Sequence, residues 1–162
     1  MRILISACLL GVKCRYDGGS KPCPAAMALA GAHELIPVCP EQLGGLPTPR
    51  MPSEIRDGQV IRRDGASVDE AYRRGAAEAA RLAKLFSCEL AVLKARSPSC
   101  GSGCIYDGSF TGTRIPGDGV TAALLKQQGL RVITEEELAS GETGVMLLEG
   151  VLGNHAGAAG GS

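Results

Sequence analysis

The chain has 162 residues, enough to bury one sizeable core within a single domain of ordinary size. Seventeen lysines and arginines balance seventeen aspartates and glutamates, so no overall charge points to a nucleic-acid backbone or an anionic membrane surface. Aromatic residues make up only 3% of the chain and tryptophan is absent, which leaves Leu, Val, Ile and Ala to build the core and removes the stacking platforms of single-strand nucleic-acid binders.

The opening "MRILISACLLGVK" mimics a lipoprotein signal ending at Cys8. It fails on length, because only Ile3 to Ile5 precede the small residues, against the roughly 7 to 15 apolar residues of a signal core. The run 2–8 reads instead as a strand buried on both faces, in a cytoplasmic protein with no membrane span. A helix is expected over about 24–31, with Pro24 in its first turn and Gly31 at its stop. A strand over about 34–39 follows, and Pro37 places it at a sheet edge or a bulge.

Residues 44–52 read as a loop, and Asp57-Gly58 between two short extended runs predicts a hairpin. From Ser67 a long helix is expected, opened by a Ser67/Glu70 capping box and burying Val68, Tyr72, Ala76, Ala79, Leu82 and Phe86. It feeds a strand over about 89–95, then a glycine- and serine-rich loop. A helix capped by Asp118 follows and stops at Gly129, before a last strand in "LRVIT". The order predicts an α/β fold: a mainly parallel sheet covered by helices, with a small hairpin insertion. One domain is expected over 1–138, and 139–162 reads as a partly flexible extension containing the apolar patch "VMLLEGVLG".

The seven cysteines carry the functional signal. Ligands of open α/β sheets bind beyond the carboxyl ends of the strands, and three predicted strands run into Cys8, Cys39 and Cys100. Three convergent thiolates suit a soft metal centre, either an iron-sulfur cluster or zinc with one open position. Cys88 reads as a small core residue. Cys14, Cys23 and Cys104 lie in polar loops, where burial explains them less well. No C-x-x-C pair occurs, which excludes zinc ribbons and thioredoxin-type motifs.

Glu41, two residues past Cys39, is placed for proton transfer. Ser97 and Ser99 flank Pro98 just before Cys100 and offer hydroxyls to a ligand, while the absence of lysine from this loop argues against a nucleoside triphosphate. The repeated C-x-Y-D-G of 14–18 and 104–108 reads as two similar turns whose tyrosines cover the sheet end, the alternative being that Tyr16 or Tyr106 lines a pocket. His33 and His155 form no Ser-His-Asp or Cys-His arrangement and read as incidental.

The blocks "SACLLGVKCRYDGG", "VCPEQLGGLPTPR", "KARSPSCGSGCIYDGSFTG" and "GDGVTAALL", in that order over about 1–138, resemble the bacterial 2-thiouracil desulfidase family. The resemblance implies a Rossmann-like domain and a 4Fe-4S cluster held by Cys8, Cys39 and Cys100, its fourth iron open to the substrate's sulfur. It further implies Glu41 as acid-base residue, and Ser97 and Ser99 as substrate contacts. The activity it implies is hydrolytic removal of sulfur, as hydrogen sulfide, from a thiolated pyrimidine such as 2-thiouracil. A small thiolated base is the expected partner, and no nucleic acid. Two other readings of these residues are a sulfur-carrying enzyme that passes sulfide to an acceptor and a non-catalytic, thiol-rich metal-binding or redox module.

Overall fold

Ile3, Leu4 and Ile5 are all fully buried although successive strand residues face opposite ways, so β1 (Arg2–Ser6) is covered on both faces. This computed structural model describes residues 1–140; the expected extension falls outside them beyond Ser140, the apolar patch included. β1 pairs in parallel with β2 (Glu34–Val38) on one side and β5 (Leu90–Leu93) on the other, and β5 pairs in parallel with β8 (Arg131–Thr134). The sheet order is therefore β2-β1-β5-β8, with β2 at an edge as Pro37 requires.

Odd and even residues of β1 serve two cores. Ile3 and Ile5 join Leu90 and Val92 against Ala26 of α1 (Pro24–Ala28) and Leu138 of α5 (Glu135–Ala139). Leu4 joins Ala91 and Leu93 against Ala80 and Ala83 of α3 (Asp69–Leu85) and Leu125 of α4 (Val120–Gln127). The result is the expected three-layer α/β arrangement, with helices on both faces of a parallel sheet. The chain steps from β1 outward to β2, then crosses back to β5 on the other flank of β1. The carboxyl ends of β1 and β5 thus form the topological switch point, where such sheets open a ligand crevice. No helix of the described residues is long and apolar enough to cross a membrane.

The insertion is the expected hairpin: β3 (Ser53–Arg56) and β4 (Gln59–Arg62) turn through Asp57 and Gly58, both at positive φ. A second hairpin, β6 (Cys104–Tyr106) with β7 (Arg114–Pro116), occupies the stretch expected to be loop. Two expected caps do not form. Ser67 accepts only a 3.4 Å contact from the Asp69 amide, and the carboxylate of Asp69 instead accepts the Val60 amide, tying α3 to the hairpin. Asp118 accepts from the Gly103 amide and from Lys126 rather than capping α4. The first strand ends at Ser6, two residues before Cys8, because the chain tightens into a 3-10 turn over Ala7–Leu10.

The short helix α2 (Pro40–Leu43) lies against α3 with no room for a side chain between them. A Cβ on Gly75 would collide with the Pro40 carbonyl, and one on Gly44 with the Ala71 carbonyl. Gly75→Ala is expected to destabilise the fold by about 1–3 kcal/mol through this overpacking. It should also displace the turn that carries Cys39 and Glu41. Urea unfolding measures the first effect, and an unchanged midpoint would show that α2 yields freely.

Candidate active site

At the switch point the carboxyl ends of β1, β2 and β5 open into a cleft of about 470 Å³. Cys8, Cys39 and Cys100 all line it, together with Glu41 and Ser97. Each of the three cysteines is set by a separate turn. Cys8 sits in the 3-10 turn after β1, whose carbonyl oxygen takes the amides of Gly11 and Lys21. Cys39 precedes α2, where Pro40 fits the first helical position because its missing N–H would be unpaired there anyway. Cys100 follows β5 in a turn closed by Ser97, whose Oγ accepts the amides of Ser99 and Cys100 at 3.1 Å each.

The two serines differ. Ser97 reaches the cleft, whereas Ser99 is fully buried and its hydroxyl is hydrogen-bonded to Thr121 Oγ1 at 2.8 Å, behind the cleft wall. Of the remaining thiols only Cys14 lines the cleft; it is 2% exposed, and its carbonyl accepts the Cys39 thiol at 3.7 Å. Cys88 packs at the edge of the core on the α3 side, as expected, and Cys23 at the edge of the other core. Cys104 lies on β6 outside the cleft. Tyr16 and Tyr106 both reach the cleft, each beside an aspartate that accepts the amide two residues on.

Burial and hydrogen bonding raise two of these thiols, Cys100 and Cys39. Burial pushes Cys100 up to about 12, while Ser6 and Ser99 hydroxyls hydrogen-bonded to its sulfur act the other way. Cys39 is raised well above the ordinary thiol value by its hydrogen bond with Cys14, then by burial. Both stay protonated at neutral pH, so a metal taking them as thiolates must release protons. Among the described residues no three His, Cys, Asp or Glu side chains come together as a set able to hold one metal ion. Thiols distributed around a cleft suit a larger group, in which separate irons take separate cysteines.

Sequence reasoning missed three residues of this site. Tyr72, read only as a core residue of α3, donates from its hydroxyl to Glu41 Oε1 at 2.6 Å. Burial, and then the neighbouring Glu41 carboxylate, push its phenol far above the ordinary value, so it remains a donor. Arg50 donates from Nε to the same oxygen at 3.1 Å, its side chain only 6% exposed. Ser6, at the end of β1, accepts the Lys94 amide at 2.9 Å and touches Cys100. Arg50 stood in the quoted "GGLPTPR", yet nothing in the sequence marks its partner nine residues earlier.

The mouth of the cleft is walled by the two hairpins. Glu54 of β3 accepts the amides of Gly108 and Phe110 at 3.0 and 3.1 Å, which locks one hairpin to the other. Six cations (Arg15, Lys21, Arg50, Arg63, Lys94 and Arg96) against two acids, Glu41 and Glu54, line the cleft. Lys94 and Arg96 are paired with Glu135 and Glu136. This balance suits a neutral or anionic ligand and disfavours a cation.

Known proteins resemble this chain in sequence and fold. The chain is 44% identical over 146 residues to the uncharacterized protein YbbK of Bacillus subtilis (strain 168), covering 84% of this chain and 97% of that protein. The solved structure of the [4Fe-4S]-dependent thiouracil desulfidase TudS superposes with a TM-score of 0.80 at 41% identity, over 90% of this chain and 97% of that one. The 2-thiouracil desulfurase family matches residues 3–137, nearly the whole described fold, and the chain belongs to that family.

Proposed function

We propose that this protein is an iron-sulfur-dependent desulfidase that hydrolyses the C–S bond of a thiolated pyrimidine such as 2-thiouracil, and that Cys8, Cys39 and Cys100 hold its 4Fe-4S cluster. The observation that carries this is the convergence of those thiols with Glu41 on one cleft at the sheet's switch point, in a chain of this family. The donor set fits: three soft ligands, each on its own turn, in a largely buried wall. The bound cluster supplies a Lewis-acidic iron for the substrate's sulfur, with three cysteines leaving one iron open.

The chain's residues do the rest. Glu41, held at Oε1 by Tyr72 and Arg50, takes the proton of the water that attacks the thiocarbonyl carbon and returns it to the departing sulfide. Ser97 lines the cleft, which supports it as the serine that meets the base, and Ser99 supports Cys100 from behind. Thiocarbonyl plus water gives carbonyl plus hydrogen sulfide, so the reaction needs neither oxidant nor reductant. The partner is a small thiolated base.

Anaerobic reconstitution with iron and sulfide, followed by 2-thiouracil, tests the reading. The expected result is a brown protein that releases sulfide and forms uracil without added reductant. A colourless protein that retains only zinc, or a loaded protein that releases no sulfide, overturns it.

A further inference from the structure

A guanidinium has five N–H donors in a rigid fork, and every one of Arg50's has an acceptor. Nε meets Glu41 Oε1 at 3.1 Å; Nη1 meets the Pro47 carbonyl at 3.1 Å and Thr48 Oγ1 at 2.9 Å. Nη2 meets the Cys14 carbonyl at 2.9 Å and Cys39 Sγ at 4.0 Å. The Arg50 amide also donates to the Tyr16 carbonyl at 2.8 Å. One nearly buried side chain thus joins the loop after Cys8, the turn carrying Cys39 and Glu41, and its own loop.

The pattern on Glu41 is one-sided. Tyr72 and Arg50 both donate to Oε1, and Oε2 accepts no hydrogen bond from a described residue. The terminal torsion of a glutamate is soft and roughly two-fold, so without these donors the two oxygens would exchange places. We infer that Arg50, with Tyr72, is a positioning residue: it fixes which carboxylate oxygen of Glu41 is left for the reacting water, and it lays its positive charge against the Cys39 sulfur. This rests on the reading of Glu41 as the proton-transfer group and of Cys39 as a cluster ligand.

The two halves separate by mutation. Lysine at 50 keeps the charge but loses the fork, because an ammonium is a point donor that cannot span these acceptors. Methionine loses both. Tyr72→Phe removes one donor from Oε1 and leaves Cys39 untouched. In the loaded protein, Arg50→Lys is expected to lower kcat about 100-fold, by analogy with the loss of one fixed donor, with KM little changed. Tyr72→Phe should lower kcat about tenfold, also without moving KM.

The reduction potential of the cluster is the second readout. Hydrogen bonds and charge at a ligating sulfur set that potential. Arg50→Met is expected to shift it to a more negative value, Arg50→Lys to shift it less, and Tyr72→Phe to leave it unmoved. Wild-type kcat in both Arg50→Lys and Tyr72→Phe overturns the positioning half, and an unshifted potential in Arg50→Met overturns the electrostatic half. If Arg50→Met fails to fold or load, the kcat and KM of Tyr72→Phe decide the first half and the potential of Arg50→Lys the second. If the loaded wild type releases no sulfide, the activity reading fails, and the potentials still decide whether Arg50 acts on Cys39.

Discussion

Cys100→Ser is expected to give a folded chain that takes up almost no iron on anaerobic reconstitution, whereas Cys104→Ser loads like the wild type. Cys100 is 5% exposed in the cleft wall, beside the hydroxyls of Ser6 and Ser99. A serine there offers a hard oxygen that stays protonated at neutral pH, in place of a soft thiolate. Cys104 is only half-buried and lies on β6 outside the cleft, so its thiol has no share in the site. The fold itself should survive, because both cores are closed by the sheet and helices, and Cys100 is one small member of one of them. Iron and acid-labile sulfide per chain, with the visible spectrum, measure the outcome. Cys8→Ser and Cys39→Ser should behave as Cys100→Ser does. Cys14→Ser is the stringent control, since Cys14 touches two of the proposed ligands from within the same wall. If Cys14→Ser loses its iron while Cys100→Ser keeps it, the assignment of the trio is wrong.

The gathering of these three thiols on one cleft was legible because an apolar strand that breaks off into polar or glycine-rich sequence shows where it ends. Ile3, Leu4 and Ile5 stop at Ser6 and Ala7, the run before Cys39 stops at Val38, and Leu90 to Leu93 stop shortly before Cys100. The rule that ligands meet the carboxyl ends of parallel strands then gathers the three thiols without any structure. Pro37 marked the edge strand by the same kind of local physics.

What escaped was long-range or weakly apolar. The β6–β7 hairpin is two three-residue strands amid glycine, serine and threonine, and only Ile105 of them is buried. Such strands have no alternation for a pattern to catch. The contacts around Glu41 come from a loop arginine and from a helix tyrosine 31 residues on. Each looks ordinary alone, Arg50 as a solvated loop cation and Tyr72 as a core aromatic. Ser99 looked like Ser97 because sequence does not show which side of a turn faces the cleft.

Glu41→Gln is expected to retain the cluster and lose sulfide release by a factor of about 10²–10⁴, the range that general acid-base groups contribute. The substitution is isosteric, and an amide oxygen at the Oε1 position still accepts from Tyr72 and Arg50, so the turn between Cys39 and Gly44 keeps its place. What changes is the other position. The Oε2 side becomes an NH2 group, which donates and cannot take a proton from water. KM should stay near the wild-type value, because the lost interaction is made only as the proton moves. Stability falls as well, since Arg50 at 6% side-chain exposure loses a counter-ion that is itself only 16% exposed. Breaking a buried pair outright costs about 3–5 kcal/mol, and the retained hydrogen bond should hold the loss to about 1–3 kcal/mol. Glu41→Asp makes the complementary test: it keeps the charge but withdraws the carboxylate by one methylene from both donors, so activity falls while a proton acceptor remains. A Glu41→Gln protein with full iron content that releases sulfide within tenfold of the wild-type rate would show that another group moves the proton.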